Sequence, residues 1–344
     1  MATDPQDEAL SLGLDIGGTK VHGALVSFGG PQPLVRFTAR RPTAHGVSGV
    51  VDSAAAVVAE LLAAAGLTID RLGAVGVGVP GIVDPVTAEV SHAVNLGIEG
   101  SAPLGALLAE RLGVEVRVDN DLNVAALGAA RVMAGDEPAD LAYLALGTGV
   151  AAGLVLDGRV RRGASGAAGE IGHVPVVPDG RACPCGQRGC LEQYASGSAL
   201  DAAWPSRTGR PAPVELLEAA SGGDPVAVAV LDEFAAAVAS AVRLLVLTCD
   251  MRQVVLGGGV SALGEPLLRA VRAALEEQAA ASPFLRAIGL AERVTLAPAE
   301  VPLAAVGAAL LGGGPVGGAE PGADPLRGAA PATPSMNVTT EESC

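Results

Sequence analysis

Two segments of the chain repeat one pattern, an apolar run, a turn rich in Gly and Thr, and a second apolar run. The segments are LGLDIGGTKVHGALV, which begins at Leu12, and YLALGTGVAAGLVL, which begins at Tyr143. Each predicts a β-hairpin, because apolar residues flank glycines that permit a tight turn. A duplication at this scale predicts two related α/β units, each of which starts with a hairpin.

The other apolar runs alternate between strands and helices, as expected for α/β units. Further strands are predicted at residues 34–40, 72–79, 114–118, 253–256 and 293–296. Helices are predicted at residues 50–65, 104–112, 122–133 and 303–311. Residues 1–9 are polar and residues 313–344 are rich in Gly, Pro, Ala and Ser, so we expect both ends to be disordered.

The composition argues against two classes of partner. The formal net charge is −15, whereas a nucleic-acid surface needs a basic patch. The same charge gives no support to an anionic membrane surface, and the uncharged stretch Val301–Ala319 is broken by Pro302 and Pro315. The N-terminus lacks the basic region of a signal peptide. We therefore expect a soluble, cytoplasmic protein that binds neither nucleic acid nor membrane.

The first hairpin turn has the residues of a phosphate site. Gly17 and Gly18 let backbone N–H groups approach phosphate oxygens, while Thr19 adds a hydroxyl. Lys20, the one lysine of the sequence, adds a cation. Asp15 precedes the turn and is suited to hold Mg²⁺, directly or through water. The alternative is an ordinary turn with a surface lysine.

The second turn repeats this arrangement with Gly147, Thr148 and Gly149. Two such turns on duplicated units can face each other across a cleft and grip one phosphate chain. A Walker P-loop is absent, and Gly76–Gly81 is rejected as a dinucleotide site because Pro80 stands where the turn should feed a helix. Three more glycines end a predicted strand and let a flat ring or ribose approach the backbone, although a tight turn explains them equally well: Gly257, Gly258 and Gly259.

Four polar residues cluster after the predicted strand 114–118, namely Asp119, Asn120, Asp121 and Asn123. One of them is expected to cap the following helix, and a cap needs a single residue. A carboxylate at such a strand end can instead accept a proton from a hydroxyl nucleophile. Phosphoryl transfer needs little more than that base and charge neutralisation.

A short segment holds three of the five cysteines, Cys183, Cys185 and Cys190, with His173 upstream. Three thiolates and one imidazole make a closed tetrahedral zinc set of the structural type. A disulfide framework is disfavoured by the odd count and the C-x-C spacing, which leaves free thiols as the alternative. Glu170 and Glu192 flank the segment and are either sugar-binding carboxylates or surface charge.

Taken together, these motifs resemble the ROK family (repressors, open reading frames and sugar kinases), and within it bacterial glucokinases. The resemblance runs from about Leu12 to Leu311. It is carried by LDIGGTK, VGVPGIVD, VDNDLNVAALGAA, LALGTGV, GAAGEIGH, CPCGQRGCLEQYASG and VVLGGGVS. The pairing of GEIGH with CxCGxxGCLE is the most specific part.

The resemblance implies a duplicated α/β fold of the actin/hexokinase-like (ribonuclease H-like) type with a central cleft. It implies a small domain of residues 10–119 plus about 299–312, and a large domain of residues 120–298 with the zinc loop 173–190. ATP, Mg²⁺, structural Zn²⁺ and a hexose are the implied ligands, and a homodimer or homotetramer is the implied assembly. The family's repressors carry a helix-turn-helix in front of this body, and with about ten residues ahead of the first predicted strand we expect a kinase rather than a repressor.

Site residues follow from the same resemblance. Asp121 matches the catalytic base, and Asn120 lies beside it on the sugar. Four further positions match sugar contacts: Gly81, Glu170, His173 and Glu192. The zinc set is His173, Cys183, Cys185 and Cys190. The phosphate turns match Asp15 to Lys20 and Gly147 to Gly149, and the adenosine side matches Gly257 to Gly259.

The sequence departs from the family pattern at two places. Ala151 and Ala152 follow the second turn where the family has glycines, so their methyl groups either crowd the nucleotide or change strand packing. The segment that begins at Asn95 lacks the family's Trp, although Asn95 itself remains a candidate hydroxyl contact. The resemblance as a whole implies phosphorylation of glucose, with N-acetylmannosamine, N-acetylglucosamine, fructose or allose as alternative substrates. A non-catalytic sugar sensor is the other alternative.

Overall fold

The computed structural model describes residues 10–313, and the first predicted hairpin there begins a five-stranded sheet. The strand order is β3-β2-β1-β4-β8, in which β1, β2 and β3 are antiparallel neighbours and β4 and β8 run parallel to β1. The strands are β1 Leu10–Ile16, β2 Lys20–Ser27, β3 Leu34–Pro42, β4 Ala74–Val79 and β8 Glu115–Asn120.

The second predicted hairpin begins a sheet of the same design, with the order β11-β10-β9-β12-β13. Its first three strands are again antiparallel and its last two again parallel to the first hairpin strand. The strands are β9 Leu141–Leu146, β10 Val150–Leu156, β11 Arg159–Val160, β12 Gln253–Gly257 and β13 Val294–Leu296. The duplication inferred from the sequence is therefore confirmed strand by strand.

Ten α-helices accompany these strands within residues 10–313. They are α1 Gly46–Ala65, α2 Leu104–Leu112, α3 Asp121–Ala134, α4 Glu192–Ala195, α5 Gly197–Ala203, α6 Ala212–Ser221, α7 Pro225–Cys249, α8 Glu265–Ala279, α9 Pro283–Ile288 and α10 Leu303–Gly313. The outer faces of the two sheets are covered by different helices. Leu12 and Leu14 of β1 pack with α1, whereas Leu144 and Leu146 of β9 pack with α7.

Helices α3 and α10 lie between the two sheets. Helix α10 packs on β1 and β4, helix α3 packs on β9 and β10, and the two helices pack on each other. Their contact brings backbones together, since a Cβ built at Gly128 would lie 1.9 Å from the Leu303 oxygen and one built at Gly307 would lie 1.8 Å from the Val124 oxygen. The central strands of each sheet are thus buried on both faces, which explains why β1, β4, β9 and β12 read as nearly continuous apolar runs.

Several element boundaries differ from the prediction. The strand predicted at 114–118 continues to Asn120, and the first helix begins at Gly46 instead of Val50, because tertiary packing extends elements beyond their periodic residues. A three-stranded sheet was not predicted, since its strands are short and carry little periodicity: β5 Ile82–Val83, β6 Val90–Ala93 and β7 Ile98–Ala102.

The predicted disordered ends lie outside the described residues at 1–9 and 314–344. Gly313, which the sequence assigned to the tail, is instead the last residue of α10.

One helix of the described range, α1, is long and apolar enough to cross a membrane by length and composition alone. Core helices of water-soluble proteins pass the same test. Seven residues of α1 are buried, including Val50, Val57 and Leu61, and they pack on the first sheet.

Candidate active site

The first hairpin turn is a closed loop fixed from outside by a threonine. The Gly17 N–H donates to the Lys20 carbonyl at 2.9 Å, and the Thr43 hydroxyl donates to the Gly17 carbonyl at 2.6 Å. Asn95 lies directly on this turn, because a Cβ built at Gly18 would be 2.9 Å from the Asn95 Cβ. The predicted phosphate turn and the predicted sugar contact Asn95 are therefore neighbours.

The charged residues of the turn differ in exposure. Thr19 and Lys20 are exposed, whereas Asp15, at the end of β1, is partly buried. Burial and, to a lesser extent, the charge of Asp121 raise the pKa of Asp15 from 3.8 to about 6, while the charge of Lys20 opposes the rise. Asp15 thus lies within electrostatic reach of the predicted base.

The junction of β8 and α3 holds the predicted base. Asn120 caps the helix, since its Oδ1 accepts the Leu122 N–H at 2.9 Å, and its Nδ2 donates to the Gly81 carbonyl at 3.0 Å. The Asp121 Oδ1 also accepts the Leu122 N–H at 2.9 Å. Burial raises the pKa of Asp121, these local hydrogen bonds oppose the rise, and the charge of Glu170 adds to it. The predictions of a cap and of a base at this junction are therefore compatible, with Asn120 as the cap.

Glu170 lies in the second half of the chain, at the start of the short 3₁₀ helix Ile171–His173, and is exposed. The preceding Gly169 carbonyl accepts the Ala152 N–H at 2.8 Å, and a Cβ built at Gly153, the next residue of β10, would be 2.1 Å from the Leu122 carbonyl oxygen of α3. The charge of Glu170 contributes to the raised pKa of Asp121, as this arrangement requires. The segment that carries Glu170 therefore lies on the strand that packs against the start of α3.

The second hairpin turn is fixed by the segment that carries the cysteines. The Gly147 N–H donates to the Gly149 carbonyl at 3.0 Å, and the Gly147 carbonyl accepts the Gly197 N–H at 2.7 Å. Glu192 lies against the turn, because its Oε2 accepts the Val150 N–H at 3.0 Å and would be 2.4 Å from a Cβ built at Gly149. A residue predicted to bind sugar thus contacts the predicted phosphate turn.

The glycines after β12 lie beside this turn. A Cβ built at Gly258 would be 2.6 Å from the Leu146 carbonyl oxygen, and the residue has a φ of +81°, so a side chain is disfavoured on both grounds. Gly259 has open space around it, with no atom within 4 Å of a built Cβ. The predicted adenosine side and the second phosphate turn are therefore adjacent.

Tyr143 of β9 packs between Gly257 of β12 and helix α3 and was not singled out from the sequence. Burial raises the pKa of Tyr143, the Gly258 N–H donates to its hydroxyl oxygen and opposes the rise, and the charges of Asp15 and Asp121 add to it. Its ring covers Gly257, where a built Cβ would be 2.1 Å from the hydroxyl oxygen. A single tyrosine within an apolar strand gives no sequence signal that its hydroxyl lies beside Gly257 and Gly258.

The four residues of the predicted zinc set are brought together. Their ligand atoms all lie within 4.8 Å of one another. The Cys183 Sγ is 3.9 Å from the His173 Nδ1, and the Cys185 Sγ is 3.7 Å from the Cys190 Sγ. Zn–S bonds of about 2.3 Å in a tetrahedron give edges of about 3.8 Å, so the set fits a tetrahedral metal.

The cysteines of the set are not equivalent. Hydrogen bonds from the backbone and side chain of Gln187 lower the pKa of Cys185 to about 6, which favours the thiolate that a metal requires. Burial raises the pKa of Cys190 to about 12. Arg181 holds the loop to the rest of the chain, because its side chain donates to the Gln193 carbonyl and to the Glu233 carboxylate.

The two alanines that depart from the family pattern point in different directions. Ala152 is buried in the outer core of the second sheet together with Val150 and Leu154. Ala151 lies on the opposite, inward face with Gly153, which packs against the start of α3. Of the two alanines, Ala152 therefore changes strand packing, whereas the methyl group of Ala151 faces away from that core.

The comparison with protein families matches the ROK family over residues 11–312. The chain belongs to the ROK family. The confirmed resemblance extends to the fold, because a ROK glucokinase structure from Streptomyces griseus, in complex with glucose and AMPPNP, superposes with a TM-score of 0.68 at 34% identity. That match covers 88% of this chain and 99% of the S. griseus chain.

Two curated ROK relatives carry different substrate names. A glucokinase from Halalkalibacterium halodurans is 32% identical over 287 residues, which cover 78% of this chain and 86% of the relative. An N-acetylmannosamine kinase from Haemophilus influenzae is 30% identical over 266 residues, which cover 77% of this chain and 85% of the relative. The family match thus supports a sugar kinase, and the relatives differ in the sugar.

Proposed function

We propose that the chain is an ATP-dependent hexose kinase whose main substrate is glucose. The observation that carries the proposal is the packing of Asp15 against the start of α3. Asp15 pairs with Gly78 in the first sheet, and a Cβ built at Gly78 would be 3.5 Å from the Asp121 Cα. The charge of Asp121 raises the pKa of Asp15, and the charge of Glu170 raises the pKa of Asp121, in agreement with this packing. The similarity to glucokinases, one of them in complex with glucose and AMPPNP, supports the choice of sugar and of phosphoryl donor.

Asp121 acts as the general base in this proposal. It accepts the proton of a sugar hydroxyl while the hydroxyl oxygen attacks the γ-phosphorus of ATP and the bond from that phosphorus to the β–γ bridging oxygen breaks. Because burial and Glu170 raise the pKa of Asp121, its carboxylate is a stronger base than one in water. The Leu122 N–H holds one of its oxygens and leaves the other for the substrate.

The remaining predicted sugar contacts surround this base. Asn120 retains hydrogen-bonding capacity after capping α3 and bonding Gly81, because an amide offers two donors and two lone pairs. The Oε1 of Glu192 is left to bind a sugar hydroxyl, because its Oε2 accepts the Val150 N–H. The Nε2 of His173 is likewise left for a hydroxyl when Nδ1 faces Cys183. Together with Asn95 and Glu170 they would bind several hydroxyls at once.

The phosphates are assigned to the two turns and the metal ion of the nucleotide to Asp15. Exposed Lys20 and Thr19 extend the first turn, while Gly147, Thr148 and Gly149 form the second. Mg²⁺, when bound with ATP, would neutralise charge on the β- and γ-phosphates. The open space at Gly259 fits the adenosine side.

We assign structural zinc to His173, Cys183, Cys185 and Cys190. The near-tetrahedral spacing and the all-N/S ligand set support zinc over a hard cation. In this role the metal holds the segment between Glu170 and Glu192 in shape. The predicted homodimer or homotetramer and the cytoplasmic location stay predictions.

The first test replaces the base while keeping its size. Asp121→Asn should retain hexose binding and lose about 100- to 10 000-fold of kcat, as expected when a general base is removed. Asp201→Asn, at an exposed position of α5, serves as the control that changes the same charge. Turnover of Asp121→Asn at the control's rate would show that the assigned base is wrong.

The second candidate function is phosphorylation of N-acetylmannosamine, which the similarity to the H. influenzae kinase favours. A coupled assay for ADP release with glucose, N-acetylmannosamine, N-acetylglucosamine, fructose and allose decides between them. The highest kcat/KM for glucose supports the main proposal, and a higher value for an N-acetylated sugar replaces it.

A further inference from the structure

Arg162 belongs to none of the groups assigned above, yet it joins the two sheets at the site. It follows β11, the edge strand of the second sheet, and its guanidinium reaches Asp119 in β8, the edge strand of the first sheet. Nε and Nη2 of Arg162 both donate to the Asp119 Oδ2, at 2.9 and 2.5 Å. The two-pronged contact fixes the orientation of the guanidinium as well as its distance.

Asp119 is the fixed end of this link. Its side chain is only 4% exposed, and its second oxygen, Oδ1, accepts the Asn120 N–H and the Asn123 Nδ2, both at 2.8 Å. The carboxylate therefore receives four hydrogen bonds, two from the junction that carries the base and two from Arg162. A buried carboxylate with saturated hydrogen bonds has one stable position, unlike a surface ion pair.

Arg162 is also the start of the loop that ends at Glu170. Its carbonyl accepts the Ala168 N–H at 3.2 Å, which closes an exposed loop over residues 163–167. The Gly169 carbonyl then accepts the Ala152 N–H of β10 at 2.8 Å. The backbone that leads into Glu170 is thus tied at one end to the second sheet and, through the Arg162 side chain, to the first.

We propose that Arg162 is a positioning residue for phosphoryl transfer, whose ion pair with Asp119 holds the junction of Asn120 and Asp121 in register with Glu170. The inference rests on the proposed role of Asp121. A displacement of about 1 Å at a reacting group can lower a rate by about 100-fold, so a bond that sets the relative position of the two sheets at the sugar is expected to affect turnover.

The test compares four variants by steady-state kinetics, with the best hexose and ATP each varied. Arg162→Met removes the charge and keeps an unbranched side chain of similar length. Arg162→Lys keeps the charge but lacks the paired N–H donors of the guanidinium. Asp119→Asn with Arg162→Met removes both charges, so that no unpaired carboxylate is left buried. Arg161→Met, at the exposed neighbouring position, is the matched control. Thermal unfolding is measured for every variant.

We expect Arg162→Met to lower kcat/KM for the hexose by at least about tenfold while the KM for ATP stays within about threefold of the control. Arg162→Lys should lie between Arg162→Met and the wild type. The double variant should regain thermal stability, because the buried charge is gone, but should not regain hexose kcat/KM, because the link is still missing.

Two outcomes would overturn the inference. One is a hexose kcat/KM for Arg162→Met within twofold of Arg161→Met. The other is recovery of both kcat/KM and thermal stability in the double variant, which would show that the ion pair has a structural role only. This second comparison remains decisive even if Arg162→Met does not fold. The proposed function fails separately, through an active Asp121→Asn.

Discussion

Two aspartates of the same segment, Asp119 and Asp121, have opposite surroundings. Asp119 is buried against a guanidinium and two further donors, and its charge is neutralised within the protein. Asp121 accepts a backbone N–H and lies near two other acids, so that burial and like charge raise its pKa. The surroundings of Asp119 suit a structural anchor. The surroundings of Asp121 suit a general base, because a raised pKa strengthens its tendency to accept a proton.

Asp15 provides a stability prediction at the residue scale. Its pKa in the folded state is about 6, above the ordinary 3.8, so the folded chain holds a proton that the unfolded chain releases between these values. The stability that this bound proton contributes is present below about pH 4 and is lost as the pH rises to about 6. At pH 7 the ionised carboxylate destabilises the fold by about 2–3 kcal/mol.

Asp15→Asn should therefore unfold at a higher denaturant concentration than the wild type at pH 7, in the absence of nucleotide and added magnesium. The difference should shrink towards zero near pH 4, where the wild-type side chain is neutral. Urea unfolding at both pH values measures it, with the exposed Asp232→Asn as control. A gain in stability that does not depend on pH would contradict the assigned cause.

At the scale of elements, the contact of α3 with α10 decides how the two sheets are joined. Gly128 and Gly307 each face a backbone oxygen of the other helix, so the helices approach more closely than side chains allow. Helix α10 belongs to the last part of the described chain but packs on the first sheet. Helix α10 therefore connects the last described residues both to α3 and to the first strand of the chain.

Gly128→Ala tests that contact against helix propensity. Alanine in a helix is favoured over glycine by about 1 kcal/mol, yet its Cβ would lie 1.9 Å from the Leu303 oxygen. We expect a net loss of about 2–3 kcal/mol in the free energy of unfolding, because the helices must move apart. Gly73→Ala, where a Cβ meets nothing within 4 Å, should change stability by less than about 1 kcal/mol. Equal effects of the two substitutions would exclude the close packing.

These elements also separate what local sequence predicts from what it does not. The two hairpins were predictable because their glycines and flanking apolar residues are neighbours in the chain. Arg162 and Asp119 lie 43 positions apart and looked like ordinary polar residues, because only the folded sheets bring them together. The surroundings of Tyr143 could not be predicted either, since they come from Gly258, Asp15 and Asp121 in three other segments. The role of Asp121 within its polar cluster required the family resemblance.

The proposed zinc loop, residues 173–190, gives a second prediction at this scale. Cys185→Ser should lower the zinc content from about one ion per chain to near zero, because a structural site needs all four ligands. With the loop released, Glu170 and Glu192 lose their support, and KM for the hexose should rise by about tenfold or more. Cys249→Ser, outside the set, should keep both values. Zinc-free wild type with unchanged KM would show that the metal does not support the sugar site.

At the scale of the whole molecule, Glu192, which we assign to the sugar, contacts the predicted second phosphate turn. Its Oε2 accepts the Val150 N–H beside the second turn, and its segment follows Cys190 of the proposed zinc set. A hexose that binds the other oxygen of Glu192 changes the position or charge distribution of the same carboxylate. Sugar and nucleotide affinities are therefore expected to depend on each other.

Calorimetry with a non-hydrolysable ATP analogue measures this coupling. We expect the hexose to change the Kd of the analogue by about fivefold or more, and the analogue to change the Kd of the hexose by the same factor, because binding linkage is reciprocal. Glu192→Gln weakens the acceptor that holds the Val150 N–H and should bring both factors close to one, even where hexose affinity itself falls. Glu276→Gln, exposed on α8, should leave the coupling unchanged. Coupling of wild-type size in Glu192→Gln would mean that the two sides communicate by another route, such as the α3–α10 contact that joins the sheets.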